Sequence, residues 1–163
     1  MNYYYIEPDV PGRVEEGRNI YDNRSNLDSI TFIFDYWPDD IVESTPVFLV
    51  SERLSKHILD AGTSGFLLKM CKCIKGDQFS ISCPEHGDIP PYRWLDVIGK
   101  AGVDDFGLED LNLVVSQRAL EIMKKFDIPL ADITPFVSDR LDKKGMVNPV
   151  SEKEFRRSTI RKH

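Results

Sequence analysis

One heptapeptide occurs twice in this chain. Phe48-Leu49-Val50-Ser51-Glu52-Arg53-Leu54 aligns without a gap to Leu113-Val114-Val115-Ser116-Gln117-Arg118-Ala119, an offset of 65 residues. Each copy opens as an apolar run of buried-strand type and reaches a serine suited to cap a helix. The apolar stripe then continues at helical spacing, with Leu54, Ile58 and Ala61 in the first copy and Ala119, Met123 and Phe126 in the second. Any strand-to-helix turn favours a capping serine. Agreement across strand, cap and stripe together points to a structural repeat, and two copies are too few for a solenoid. The expected fold is therefore α+β, a mixed or antiparallel sheet with two principal helices in two pseudo-repeated strand–helix units.

The remaining elements follow from local chemistry. Tyr3–Ile6, Ser29–Tyr36 and Phe66–Ile74 read as strands by their aromatic and β-branched content. Phe79–Cys83 is expected to pair with Phe66–Ile74 as a hairpin. Ile133–Val137 is expected to form an edge strand, since Pro135 cannot donate to a ladder. Arg13–Asn26 shows no period, although Ile20 and Tyr21 offer an anchor. The segment around Trp94–Ile98 is apolar and of unassigned type, and Val103–Asp110 reads as an acidic loop. Residues 1–150 suit a single α+β domain with a half-boundary near 84–92, and residues 151–163 form a basic C-terminal tail.

Composition narrows the function. Of 163 residues, 41% are apolar and 29% charged, a globular balance, and no apolar run approaches the ~20 residues needed to span a bilayer. The start of the chain lacks the basic and apolar regions of a signal peptide, so a cytoplasmic protein is expected, away from membranes. Three cysteines suit reduced thiols. The net charge of −6 divides into +3 on residues 152–163 and −9 on the first 151, where 16 basic face 25 acidic side chains. An acidic body disfavours nucleic acid and favours a basic partner.

No catalytic constellation stands out, and the chain reads as a non-enzyme without a cofactor. Cys71, Cys73, Cys83 and His86 have the residue types of a zinc site but not a usual spacing, so a small metal-binding regulatory or adaptor module is the alternative function. Cys83 with His86 lacks the oriented base and oxyanion donor of a nucleophilic site. Glycines never cluster as a phosphate loop. Ser51/Arg53 and Ser116/Arg118 are best explained as caps with arginines reaching acidic loops. The acidic pairs, flanked by aromatic anchors, remain as the candidate partner-binding set: Trp37, Asp39, Asp40, Trp94, Asp104, Asp105, Glu109 and Asp110.

The tyrosine run followed by Pro8-Asp9-Val10-Pro11-Gly12, the block at 48–54, and the stretch from Trp94-Leu95-Asp96-Val97-Ile98 through Asp104-Asp105-Phe106 to Leu113–Glu121 together resemble bacterial polymorphic-toxin immunity proteins. The nearest group is the immunity-protein-eleven family, also called the myxobacterial-type immunity domain. This resemblance implies a cytoplasmic protein that binds and neutralises a cognate toxin domain without doing chemistry. An acidic inhibitor would suit a basic toxin, such as a nuclease.

Overall fold

The computed structural model describes residues 2–137; the expected basic tail at 151–163 lies outside the described residues. Ten strands and four helices follow in the order β1 (Tyr3–Glu7), β2 (Gly12–Val14), α1 (Asn19–Asn23), β3 (Ser29–Phe34), β4 (Ile41–Ser44), β5 (Val47–Ser51), α2 (Glu52–Asp60), β6 (Phe66–Lys75), α3 (Asp77–Ser82), β7 (Tyr92–Val97), β8 (Phe106–Glu109), β9 (Asn112–Ser116), α4 (Gln117–Met123) and β10 (Asp132–Pro135). They form a four-stranded sheet, β10-β1-β9-β8, and a six-stranded sheet, β2-β3-β6-β7-β5-β4. Only β3 and β6 pair in parallel among the ladders between named strands. The fold is α+β, with mixed and antiparallel sheets.

The repeat extends well beyond the heptapeptide. β4, β5 and α2 recur as β8, β9 and α4 at the offset of 65, and Leu68 of β6 corresponds in the same way to Ile133 of β10. The central strand of each sheet is exchanged. β1, first in the chain, pairs with β9 and β10 of the second unit. β7, which opens the second unit, pairs with β5 and β6 of the first. Ile6 lies opposite Leu113 and Ile133 in register, as Leu95 lies opposite Phe48 and Leu68. Each half thus completes the other's sheet.

Burial explains why the exchange is stable. One apolar cluster is built from matched pairs at the offset of 65: Ile41 with Phe106, Phe48 with Leu113, Val50 with Val115, Leu54 with Ala119, and Ile58 with Met123. Ile6 and Leu95 from the exchanged strands join it, and every one of these side chains is 2% exposed or less. Burying a large aliphatic side chain is worth about 1.5–3 kcal/mol, so this cluster belongs to both units and penalises their separation.

A second cluster breaks the symmetry. The outer face of the six-stranded sheet buries Trp94, Leu49, Val42 and the alternating Ile30, Phe32 and Phe34 of β3 under Ile20 of α1 and Phe79 of α3. The 12–34 stretch that supplies β2, α1 and β3 has no counterpart between β7 and β8. On the four-stranded sheet the chain at 100–101 lies against Gly107, where a Cβ would sit 2.3 Å from the Ala101 nitrogen.

Several sequence expectations change here. Phe79–Cys83 is not a hairpin partner of β6: residues 77–82 form α3, whose Phe79 is buried while Ile81 is 74% exposed. Val103–Asp110 contains β8, and Trp94 lies on β7, fully buried. β10 is an edge strand, the position that tolerates Pro135.

Candidate functional site

The helix starts are assembled identically. Ser51 Oγ accepts the Leu54 N–H at 3.2 Å, and Ser116 Oγ accepts the Ala119 N–H at 3.2 Å. Each serine also donates to a buried carboxylate, Ser51 to Asp40 at 2.5 Å and Ser116 to Asp105 at 2.6 Å. The arginine two residues on forks onto the same carboxylate. Arg53 Nε and Nη2 lie 2.9 and 2.5 Å from Asp40, and Arg118 Nε and Nη2 lie 3.0 and 2.8 Å from Asp105. Asp40 and Asp105 are themselves 65 residues apart.

These triads tie the two units together. Asp40 Oδ2 accepts the N–H of Asp127, just after α4, while Asp105 Oδ2 accepts the N–H of Ser64, just after α2. Arg118 further donates to the carbonyls of Ala61 and Gly62 at 3.2 Å. Both serine hydroxyls are buried, with donor and acceptor roles filled, so neither is disposed to attack a substrate. For Asp40, burial pushes the carboxyl up, but bonds from Arg53, Ser51 and the Asp127 N–H outweigh it and hold the group below its ordinary value. Asp105 is held well below the usual carboxylate range, chiefly by the Arg118 fork.

The predicted partner-binding residues separate into distinct places. Asp39, Asp40, Asp104 and Asp105 lie at the bases of the two hairpins, just before β4 and β8, whereas Glu109 and Asp110 lie at the tip of the second. Trp94, Asp40 and Asp105 are buried and committed to internal contacts, so their expected role as partner anchors gives way to a structural one. Asp39 is 8% exposed, accepts the Leu130 N–H, and is pushed up to about 6 by burial, reinforced by the charges of Asp9, Asp40 and Asp127. Asp104 is half-buried, accepting the N–H of Lys100 and the hydroxyl of Ser64. Glu109 accepts the Tyr5 hydroxyl. Asp110 is exposed and shares a left-handed turn with Leu111, at φ 49° and 66°.

Trp37 alone of the predicted anchors presents an aromatic surface. Trp37 is 36% exposed as a residue, and its ring stacks on His86 at 4.3 Å and 17° and leans on the buried Phe79. Its backbone N–H reaches Cys83 Sγ at 3.3 Å. Tyr36, 40% exposed, is next in the chain. The segment that delivers Phe79, Cys83 and His86, residues 76–91, contains Asp77, Glu85 and Asp88, and Lys75 just before it lies over the Phe79 ring and pairs with Asp88 at 3.5 Å. His86 as a partner of Trp37 was not foreseen, because the contact joins residues far apart in sequence.

Other candidates are weaker. A groove of about 250 Å³ between the hairpin tips, lined by Pro46, Leu111, Tyr21 and Arg24, falls below the ~300–1,000 Å³ usual for small-molecule sites. Cys71, Cys73 and Cys83 are free and half-buried against the second apolar cluster, with His86 directed onto Trp37. Among the described residues, no group of three or more His, Cys, Asp or Glu side chains is placed to hold a metal ion. No helix among them is long and apolar enough to cross a membrane. No protein-family model matches the chain, and no curated protein is similar to it in sequence.

Proposed function

We propose that this chain is an immunity protein that binds and neutralises a cognate, basic bacterial toxin domain in the cytoplasm by direct, non-catalytic contact. The observation that carries the reading is the exposed Trp37 ring stacked on His86 beside a stretch carrying Asp77, Glu85 and Asp88 against the single Lys75. Aromatic residues held rigidly at a surface make strong interface anchors, and an acidic surround speeds encounter with a basic partner. The residues that carry the likeness to the immunity-protein-eleven family are mostly scaffold: buried strands, caps and Asp105. That likeness supports a shared framework, and the contact surface is argued separately from Trp37.

The test is co-expression with the toxin domains encoded beside the gene, followed by affinity measurement on any that is neutralised. Trp37→Ala is expected to weaken binding at least tenfold, as an anchor would, measured at a temperature where a thermal melt shows the variant still folded. Asp104, Glu109 and Asp110 are the remaining acidic candidates, and charge reversal there should slow association mainly at low salt. Failure to bind or protect against every neighbouring toxin domain would end the proposal.

A further inference from the structure

The two exchanged strands carry matching outer faces in different surroundings. Ile6 and Leu95 hold equivalent places in the two ladders, so Tyr3, Tyr5 and Glu7 of β1 correspond to Tyr92, Trp94 and Asp96 of β7. On the six-stranded sheet the 12–34 excursion and α3 cover this face, and Tyr92, Trp94 and Asp96 are each 4% exposed or less. Asp96 meets two cations there, Arg24 at 3.4 Å and Lys69 at 2.9 Å, and the Lys69 ammonium lies over the Trp94 ring. Arg24 comes from the covering excursion, not from the sheet.

On the four-stranded sheet Tyr3, Tyr5 and Glu7 are only half-buried, as are Thr134 and Phe136 beside them. The stretch at 100–103 reaches the β8 side of this face, where the Val103 carbonyl accepts the Tyr3 hydroxyl. None of the four helices covers the rest: α1 and α3 lie on the six-stranded sheet, and α2 and α4 belong to the shared cluster. Phe136 packs edge-on against Tyr5 at 5.2 Å, which makes one end of the face aromatic. The other end is acidic, with Glu7 opposite Asp132 in register and Glu109 opposite Asn112.

We propose that residues 138–163 cover this face, laying apolar side chains over Tyr3, Tyr5 and Phe136 and setting basic ones against Glu7, Asp132 and Glu109. The described residues end at Val137, directly after Phe136, so the segment starts from the aromatic end of the face. An extended chain advances about 3.3 Å per residue, and the return from Phe136 to the level of Asp132 takes about four residues. Arg140, Lys143 and Lys144 are thereby the first cations within reach of the acidic end, with Leu141, Met146 and Val147 as apolar cover. Residues 138–163 carry a net charge of +4 against −10 for residues 1–137, a complement that draws the two together. The second unit would then repeat what Arg24 and its excursion do for the first: an apolar cover closed by a cation on a carboxylate of the exchanged strand. This surface is separate from Trp37 and does not depend on the toxin-binding reading.

The experiment cross-links the native, full-length protein with a carbodiimide, which joins carboxylates to lysine amines at zero length, and maps the bonds by peptide mass. Mixing unlabelled with nitrogen-15 protein separates bonds within one chain from bonds between two. Lys143 or Lys144 should be joined to Glu7, Asp132 or Glu109 of the same chain. The triple variant Arg140→Glu, Lys143→Glu, Lys144→Glu should exchange the amide hydrogens of β1 and β10 at least tenfold faster, with β3 and β6 unchanged. Lysines joined only to other carboxylates, or to none, would overturn the proposal and leave the face to a separate partner. Bonds between labelled and unlabelled chains would overturn it in favour of a second copy, and unchanged exchange in β1 and β10 would overturn it as well. The mapping on the unaltered protein decides the matter even if the variant fails to fold.

Discussion

Asp40, at the base of the first hairpin, accepts the backbone N–H of Asp127 at 2.8 Å, where the helix of the second unit has just ended. Asp105 returns the contact to Ser64 behind the first helix at 3.0 Å. Each carboxylate therefore organises its own helix start and the other unit's helix end. The Asp40 side chain is 5% exposed, whereas the Arg53 that pairs with it is 60% exposed. Removing the arginine strands a buried charge, while removing the charge leaves an arginine that water can solvate. Arg53→Ala should accordingly cost about 3 kcal/mol and Asp40→Asn about 1–2 kcal/mol. Urea denaturation at pH 7 checks the order, and a costlier Asp40→Asn would refute the argument.

The pH dependence of these pairs has a definite sign. Folding lowers the pKa values of Asp40 and Asp105, so their stabilisation is present above the ordinary carboxylate value and is lost as pH falls below it. Asp105→Asn should thus destabilise at pH 7, and its deficit should shrink progressively as denaturation is repeated at lower pH.

Asp39 behaves oppositely. Folding raises it from 3.8 to about 6, so the folded state holds the extra proton between those values, and stability is lost as pH rises through them. Asp39→Asn keeps an oxygen to accept the Leu130 N–H and removes the buried charge. It should stabilise by about 1–2 kcal/mol at pH 7 and by little at pH 4, read from thermal melts at both values. Equal effects at the two pH values would show that the charge is not the cause.

The serines should be nearly interchangeable in energy, because their surroundings are. Ser51→Ala and Ser116→Ala each remove a helix cap and a bond to a buried carboxylate, for an expected loss of about 2 kcal/mol apiece. Costs differing by more than about 1 kcal/mol would mean that the two starts are not energetically equivalent.

Strand exchange makes separate unfolding of the halves unfavourable. Trp94 reports on the six-stranded sheet, while far-ultraviolet circular dichroism reports on both sheets. The two urea transitions should coincide. A dichroism change persisting after the fluorescence transition is complete would indicate an independently stable second half.

The repeat was legible at the helix starts because strand, cap and stripe are local, and the same offset carried upstream leads from Asp105 to Asp40. The acidic pairs resembled solvated turns, since adjacency in sequence does not reveal that Arg53 and Arg118 fold back onto one member of each pair. Phe79 and Ile81 alternate as a strand would, yet only Phe79 meets the core, and the segment curls into α3. Trp94 offered no sign of its depth, because the 12–34 excursion that covers its sheet face precedes it by many residues. Nor does any local pattern disclose that β1 and β7 trade places. Trp37 could be named from the sequence only as a candidate anchor, and its stacking on His86 emerges only in the tertiary fold.

The trade also sets an order of events on the ribosome. β1 is made first, yet its neighbours, β9 and β10, are among the last described strands to be made. The six-stranded sheet has all its strands once β7 is out, but one face still awaits Phe106, Leu113 and Val115. The nascent chain must therefore carry an unpaired, tyrosine-rich strand until β9 and β10 have been made, and completion of the fold waits on the second unit.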